Sequence, residues 1–134
     1  MNIKKLFICT AAVLMLAGCS NSKADMVDPS TVDADALYLY DVKNGAVKAG
    51  AEWSDDGSEG FWMPLSDNVY CEFQNPDVVG AWSPEQYFGS KQLEKGFKNG
   101  DVGFGSHFEF MSNDDGEIIS IYEINYYENN SVTG

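Results

Sequence analysis

Apolar and polar residues alternate over several short stretches of this chain, which is the pattern of strands that bury one face. The first clear pair surrounds Asn44-Gly45, a dipeptide that favours a two-residue type I′ turn because both central residues need positive φ. We predict strands over Leu37–Lys43 and Ala46–Trp53, with Val42 opposite Val47. Continued without interruption, this register turns the tyrosines of the first strand toward the core.

A second hairpin is predicted near the end of the chain. Residues 113–116 (Asn-Asp-Asp-Gly) separate Gly103–Ser112 from Glu117–Tyr127, whose second arm is dense in Ile and Tyr. A two-residue loop would place two acidic residues opposite each other, so we favour a four-residue loop with Ser112 opposite Glu117. In that register the phenylalanines of the first arm share a face with Ile119.

Further strands are predicted between the two hairpins. Gly60–Leu65 and Asn68–Gln74 read as a pair that turns at Ser66-Asp67, and Val78–Trp82 reads as a short strand. Pro64 cannot donate to a ladder, so its strand should lie at an edge or break there.

One helix is expected over residues 84–95. Ser83 fits the N-cap, Pro84 fits the first helical position, Gln86 can return the capping bond, and Gly96 fits the end. The predicted fold is therefore mainly β (α+β), a small antiparallel sheet or barrel of about six to seven strands built from hairpins, with one short helix.

The first residues of the chain have a different character. Lys4 and Lys5 precede an apolar run, Leu6–Leu16, that is too short to span a bilayer as a permanent helix. The run ends in Leu16-Ala17-Gly18-Cys19, which resembles the lipobox of bacterial lipoproteins. The alternatives are an ordinary secreted protein and an uncleaved anchor.

The resemblance to lipoproteins implies a location and a set of segments. Residues 1–18 would be removed as a signal peptide, and Cys19 would carry the lipid that holds the protein to a membrane, facing outside the cytoplasm. Ser20 differs from the Asp of an inner-membrane retention signal, which favours the outer membrane if the host has two. We then expect a flexible tether over 19–35, one β-rich domain over 36–128 and a disordered tail over 129–134.

Charge excludes one class of ligand. The chain has 134 residues with 21 acidic residues, eight lysines and no arginine, a net charge of −13. Loss of Lys4 and Lys5 with the signal peptide would leave six lysines against 21 acids, a net charge of −15. Such a surface repels a polyanion and lacks the planar fork that recognises phosphate, so nucleic acid is excluded as a partner.

Metal and disulfide chemistry have little support. With Cys9 and Cys19 assigned to the export segment, Cys71 is alone and is predicted to be a buried, inert thiol. Zinc would need more His or Cys ligands than the chain offers. The acidic clusters 55–59 and 113–117 lack EF-hand spacing and fit solvated turns better than calcium sites. We predict no metal site and no cofactor.

The polar residues with acid–base character are His107, Glu109 and Tyr122. The four-residue loop register places His107 opposite Tyr122, with Glu109 on the same face, so hydrogen bonds among them would be easy. A small hydrolase would also need a nucleophile, and Ser120 is available only in the middle of a strand. A half-buried polar patch is the interpretation we favour.

Aromatic residues are abundant for so small a domain. They fill the core under one interpretation and form a stacking surface for sugars or peptides under the other. Trp62 is the best candidate for the second, beside the acidic residues Asp55, Asp56 and Glu59. The aromatic candidates are Tyr38, Tyr40, Trp53, Phe61, Trp62 and Trp82.

Three functions follow from these observations. The first is a surface lipoprotein that binds a ligand or protein partner, either a cationic protein or a glycan, without catalysis. The second is an inhibitor or immunity factor against a cationic envelope-degrading enzyme or toxin, which the negative charge would steer toward the protein. The third is a small hydrolase that uses His107.

Overall fold

Six strands and one α-helix follow one another in residues 25–125, the part of the chain that this computed structural model describes. A short 3-10 helix, Pro29–Thr31, precedes them. The elements are β1 Leu37–Lys43, β2 Ala46–Gly50, β3 Phe61–Phe73, β4 Glu85–Phe88, α1 Ser90–Asn99, β5 His107–Ser112 and β6 Ile118–Glu123. The prediction of a mainly β fold with one helix is confirmed.

The strands form one sheet in the order β2-β1-β5-β6-β3-β4, and β2 also pairs with β3. The additional pairing brings the sheet back on itself, so that five strands form a ring and β4 extends it at one side. The pairing of β3 with β6 is parallel. The prediction of an entirely antiparallel sheet is therefore wrong, because β6 is not joined to β3 by a hairpin and approaches it from the far end of the chain.

The β1–β2 hairpin has the predicted turn but not the predicted register throughout. Asn44 and Gly45 have φ values of 53° and 78°, as a type I′ turn requires. Val42 pairs with Val47 as expected, but a β-bulge at Tyr40 moves the pairing by one residue. The prediction that the tyrosines of β1 share the core side is wrong for Tyr38, which is half-buried. Tyr40 is buried but lies outside the core cluster, because the bulge directs both leucines of β1 and Val42 into that cluster.

The two strands predicted over Gly60–Leu65 and Asn68–Gln74 form a single strand, β3. Its first half pairs with β2, and its second half pairs with β4 and β6. Ser66 and Asp67 lie at the irregularity between Leu65 and Tyr70 where the neighbours change, and they do not reverse the chain. Pro64 lies opposite Ala46 in the half that pairs with β2.

The region after β3 differs from the prediction in two ways. Val78–Trp82 is an exposed loop, not a strand, and the first residues of the predicted helix form β4. Pairing with β3 over four consecutive positions competes successfully with the local capping signal. The helix starts at Ser90 and reaches its C-cap at Gly100, with φ 86°. Gly96, which was predicted to end the helix, lies inside it. Its lack of a side chain makes room for the Tyr87 ring, which a Cβ there would approach to 2.7 Å.

The β5–β6 hairpin also contains a bulge. Phe110 pairs with Ile121, while Ser112 pairs with Ile118, so one extra residue, Ile119, lies on β6. Ile118 is fully buried and Ile119 is 38% exposed. The expectation that Ile119 shares the phenylalanine face is therefore wrong. Ile118 takes the buried position in place of Ile119, because the bulge lets both Ile118 and Ile121 enter the core.

The core lies inside the ring and includes residues that precede the first strand. The Val27 backbone N–H donates to the Trp62 carbonyl at 2.8 Å, and Val27, Val32 and Ala34 pack against the core. Part of the segment predicted as a tether thus contacts the sheet. Cys71 is fully buried as predicted, and burial raises its pKa to about 12. Its thiol is therefore unreactive at neutral pH.

The proposed signal peptide, the lipidation site Cys19 and the tail 129–134 lie outside the described residues. Within residues 25–125, no helix has both the length and the apolar character needed to cross a membrane.

Candidate binding site

The acidic loop, residues 51–60, is built around the side chain of Tyr40. The Tyr40 hydroxyl donates to the Glu52 carbonyl at 2.7 Å and accepts from the Ser54 backbone N–H at 2.8 Å. A Cβ at Gly57 or Gly60 would lie within 2.9 Å of Tyr40 atoms, so both glycines let the loop approach the ring. The bulge that removes Tyr40 from the core cluster therefore makes it the support of this loop.

Two of the predicted binding carboxylates also hold the loop. The Asp55 carboxylate accepts from the Trp53 indole N–H at 2.7 Å. Asp56 accepts from the Ser58 backbone N–H at 2.9 Å and from the Ser54 hydroxyl at 3.2 Å. These bonds, chiefly those from Ser58, lower the pKa of Asp56. Glu59 is exposed. The loop consequently displays negative charge from a fixed backbone.

Four aromatic rings beside this loop form a surface that we call the aromatic shelf: Tyr38, Trp53, Phe104 and His107. The Trp53 ring lies edge to face with Tyr38 and Phe104, at centroid distances of 5.5 and 6.0 Å. Tyr38 stacks on His107 at 4.4 Å. Trp53 is 52% exposed and Phe104 is 46% exposed. The shelf is thus ordered by ring contacts and still open to solvent.

Gly105 permits this arrangement. Its φ is 86°, and a Cβ at this position would lie 2.7 Å from the Trp53 ring. The Trp53 ring therefore rests directly on the backbone of Gly105. Sequence reasoning missed the shelf because its members come from separate segments, although the Gly103-Phe104-Gly105 sequence marks a backbone that a ring can approach.

Trp62, the aromatic residue singled out from the sequence, lies elsewhere. It is half-buried on β3, opposite Lys48. Within residues 25–125 it makes no ring contact, whereas Trp53 contacts three other rings. The structure therefore gives Trp53 the position beside the acidic carboxylates that the sequence analysis gave to Trp62.

The structure separates the residues with acid–base character. Glu109 pairs with Tyr122, while His107 pairs with Tyr38 on the other neighbouring strand. Among the described residues, no hydrogen bond joins the side chains of His107, Glu109 and Tyr122. Burial lowers the pKa of His107, and the charge of Glu109 partly opposes that shift. The Ser120 hydroxyl is buried opposite Met111, where a substrate cannot reach it.

A cleft of about 630 Å³ opens next to the shelf. The loop after β3 forms one wall and contributes Trp82, while the start of β5 contributes His107. Glu123, at the end of β6, lies in the same cleft and accepts from the Gln74 backbone N–H at 2.8 Å. Burial raises the pKa of Glu123. His107 therefore belongs to both the shelf and the cleft.

Across the described residues, no three His, Cys, Asp or Glu side chains come together in a way that could hold a metal ion. The cluster at 113–117 is a turn, in which the Asn113 side chain accepts from the backbone N–H groups of Asp115 and Glu117.

Comparison of the chain with protein-family models, with curated proteins and with solved structures finds no match. The shelf, the acidic loop and the cleft are therefore the features that bear on function.

Proposed function

We propose that this protein is a lipid-anchored component of the cell envelope whose acidic β-rich domain binds a ligand or protein partner and turns over no substrate. The lipobox-like sequence ending in Cys19 supports the location. Export followed by anchoring would place the domain outside the cytoplasm, at the outer membrane where the host has two.

The main structural support for a binding function is the aromatic shelf. Large exposed rings give much contact area, and rings already fixed by their neighbours lose little conformational freedom when a partner covers them. Trp53 is fixed by its contacts with Tyr38 and Phe104 and by the hydrogen bond to Asp55. A glycan or a protein could stack on this surface.

The proposed absence of catalysis rests on the positions of the candidate groups. Proton transfer requires the base to reach the group that it activates, at about 3 Å or through one water. His107 stacks on Tyr38, Glu109 is exposed opposite Tyr122, and the Ser120 hydroxyl is buried. A hydrolase that uses His107 would lose its activity in His107→Ala while the fold was kept, and that result would contradict the proposal.

The negative charge of the domain favours a second function that also acts by binding. The protein would then be an inhibitor or immunity factor against a cationic envelope-degrading enzyme or toxin. The acidic loop holds Asp55 and Asp56 directly beside the shelf. A basic partner would be steered toward this side and would then meet the exposed rings.

The test is capture from cell-envelope extract by the chain without residues 1–19, which retains every described residue. Trp53→Ala should abolish capture of the specific partner, and Phe88→Ala should leave it unchanged. Phe88 is a matched control because it is 60% exposed and lies on β4, whereas Trp53 lies in the acidic loop. Equal loss in both variants, or in neither, would contradict the assignment of the shelf. Inhibition of a lytic activity in the captured fraction would identify the inhibitor function.

A further inference from the structure

The cleft beside the shelf combines three kinds of surface. Glu123 supplies a carboxylate, the rings of Trp82 and His107 supply aromatic walls, and Val78 and Val79 supply an apolar rim. Val79 is 92% exposed and Val78 is 48% exposed. Apolar side chains this exposed around a cleft are typical of a surface that a partner covers.

Glu123 is an unusual residue to place in this position. Burial of a carboxylate costs free energy unless a cation or sufficient hydrogen bonds compensate it. The Gln74 backbone N–H donates to it at 2.8 Å, and the Ser106 hydroxyl lies nearby but donates to the Gly103 carbonyl. Within residues 25–125 no lysine forms an ion pair with it. A positive charge is the complement that this carboxylate lacks.

The aromatic walls suit a cation as well. An ammonium group is attracted to the face of an indole ring, and the attraction increases where water is excluded. Trp82 is 38% exposed, so a group entering the cleft can reach its ring. The lowered pKa of His107 keeps the imidazole neutral near pH 7, so it does not repel a positive charge in the cleft. Tyr38, stacked on the imidazole, extends this wall into the shelf.

We propose that the cleft binds the protonated side-chain amine of a lysine on a protein partner, a proposal that rests on the binding function of the neighbouring shelf. The ammonium group would contact Glu123, and the aliphatic stem would lie along Trp82 and the valines of the rim. One carboxylate oxygen of Glu123 already accepts from Gln74, so a one-point contact with an ammonium fits better than the two-point fork of an arginine.

The experiment uses three capped tripeptides, Gly-Lys-Gly, its acetyl-lysine form and Gly-Arg-Gly, added to the chain without residues 1–19. Nuclear magnetic resonance follows the Trp82 indole and the His107 imidazole during each titration. The lysine peptide should shift both signals in a saturable manner, and it should bind at least about fivefold more tightly than the acetyl-lysine peptide, which lacks the charge. Equal binding of those two peptides, or tighter binding of the arginine peptide, would overturn the proposal.

Two variants locate the site. Glu123→Gln keeps an oxygen that can accept from Gln74, and Trp82→Ala changes a loop residue outside the sheet; each should weaken the lysine peptide at least about fivefold, whereas Phe88→Ala should not. Unchanged affinity in folded Glu123→Gln and Trp82→Ala would overturn the proposal. Failure of the lysine peptide, while Trp53→Ala still abolishes partner capture, would reject the lysine site and leave the shelf in place. Binding of the lysine peptide without any effect of Trp53→Ala on capture would reject the shelf instead.

Discussion

Two clusters of exposed aromatic rings occur on this domain, and they differ in what surrounds them. The first is the aromatic shelf. The second, which we call the outer patch, consists of Tyr70, Phe88 and Tyr122, with centroid distances of 5.4 and 5.9 Å from Tyr70 to the other two rings. Phe88 is 60% exposed, more than Trp53 or Phe104 in the shelf.

The outer patch is formed by strand residues alone, and the polar end of its central ring already has hydrogen-bond partners. Its members lie on β3, β4 and β6, and their positions follow from the regular pairing of those strands. The Tyr70 hydroxyl donates to Glu72 at 2.5 Å and accepts from the Gln86 side chain at 2.9 Å, so its polar end is already satisfied. The shelf instead combines residues of two loops with residues of two strands, beside a cleft and a charged loop. Exposure alone therefore does not distinguish a binding surface, whereas its surroundings do.

The largest predicted effect concerns the support of the shelf. Tyr40→Ala should lower the free energy of unfolding by about 3–5 kcal/mol, because it removes a buried ring around which the acidic loop is built. Tyr70→Ala in the outer patch should cost only about 1 kcal/mol, since Tyr70 is half-buried. Urea denaturation measures both values. Similar losses in the two variants would mean that Tyr40 does not have this structural role.

Next in size is the effect of a methyl group under Trp53. Gly105→Ala and Gly100→Ala both place a side chain at φ 86°, which costs about 1–2 kcal/mol. A Cβ at Gly100 meets nothing within 4 Å, whereas one at Gly105 meets the Trp53 ring. Both variants should lose stability, but only Gly105→Ala should also change Trp53 fluorescence and reduce partner capture. Normal capture by folded Gly105→Ala would argue against a fixed Trp53 ring.

A smaller effect is expected from the charges beside the shelf. Replacement of Asp55, Asp56 and Glu59 by their amides should slow association with a cationic partner severalfold, and the wild-type association rate should fall as salt rises. The Debye length shortens from about 10 Å at 0.1 M to about 3 Å at 1 M salt. Asp114→Asn with Asp115→Asn, in the turn between β5 and β6, is the matched control and should have a weaker effect. Surface plasmon resonance would measure these rates, and salt-independent association would exclude electrostatic steering.

The smallest effect concerns the charge of Glu109 next to His107 on β5. Burial lowers the pKa of His107, and the charge of Glu109 opposes this shift, so Glu109→Gln should lower the pKa further. Because the folded-state pKa is below the unfolded value, the neutral imidazole contributes its full stability above the unfolded pKa. That contribution is lost as the pH falls toward the folded pKa. Resonance titration of the imidazole measures the shift, and an increase in Glu109→Gln would contradict this account.

Local turn chemistry was readable from the sequence, whereas the registers were not. Asn44-Gly45 has the backbone that its residue types require, and the β1–β2 pairing near it is as predicted. Farther from the turn, the bulges at Tyr40 and Ile119 change which side chains face the core. Each bulge is favoured by packing against strands distant in sequence, which a single hairpin does not contain.

The candidate site was only partly predictable for the same reason. The acidic loop and a stacking role for a tryptophan were inferred, but alternation along β3 drew attention to Trp62. Trp53 meets Phe104 and Gly105 because the ring of strands brings two distant loops together. The cleft combines Trp82, from a loop predicted to be a strand, with Glu123, from the last strand. Neither association follows from local periodicity.

The parallel pairing of β3 with β6 has a consequence for the order in which the protein can be assembled. β6 lies between β5 and β3 in the sheet, yet it is the last strand within residues 25–125. The second half of β3 therefore lacks one neighbour until residues 118–123 are present, and such long-range pairing forms slowly. A chain synthesised from its amino end therefore cannot close this ring of strands before residue 123 has been added.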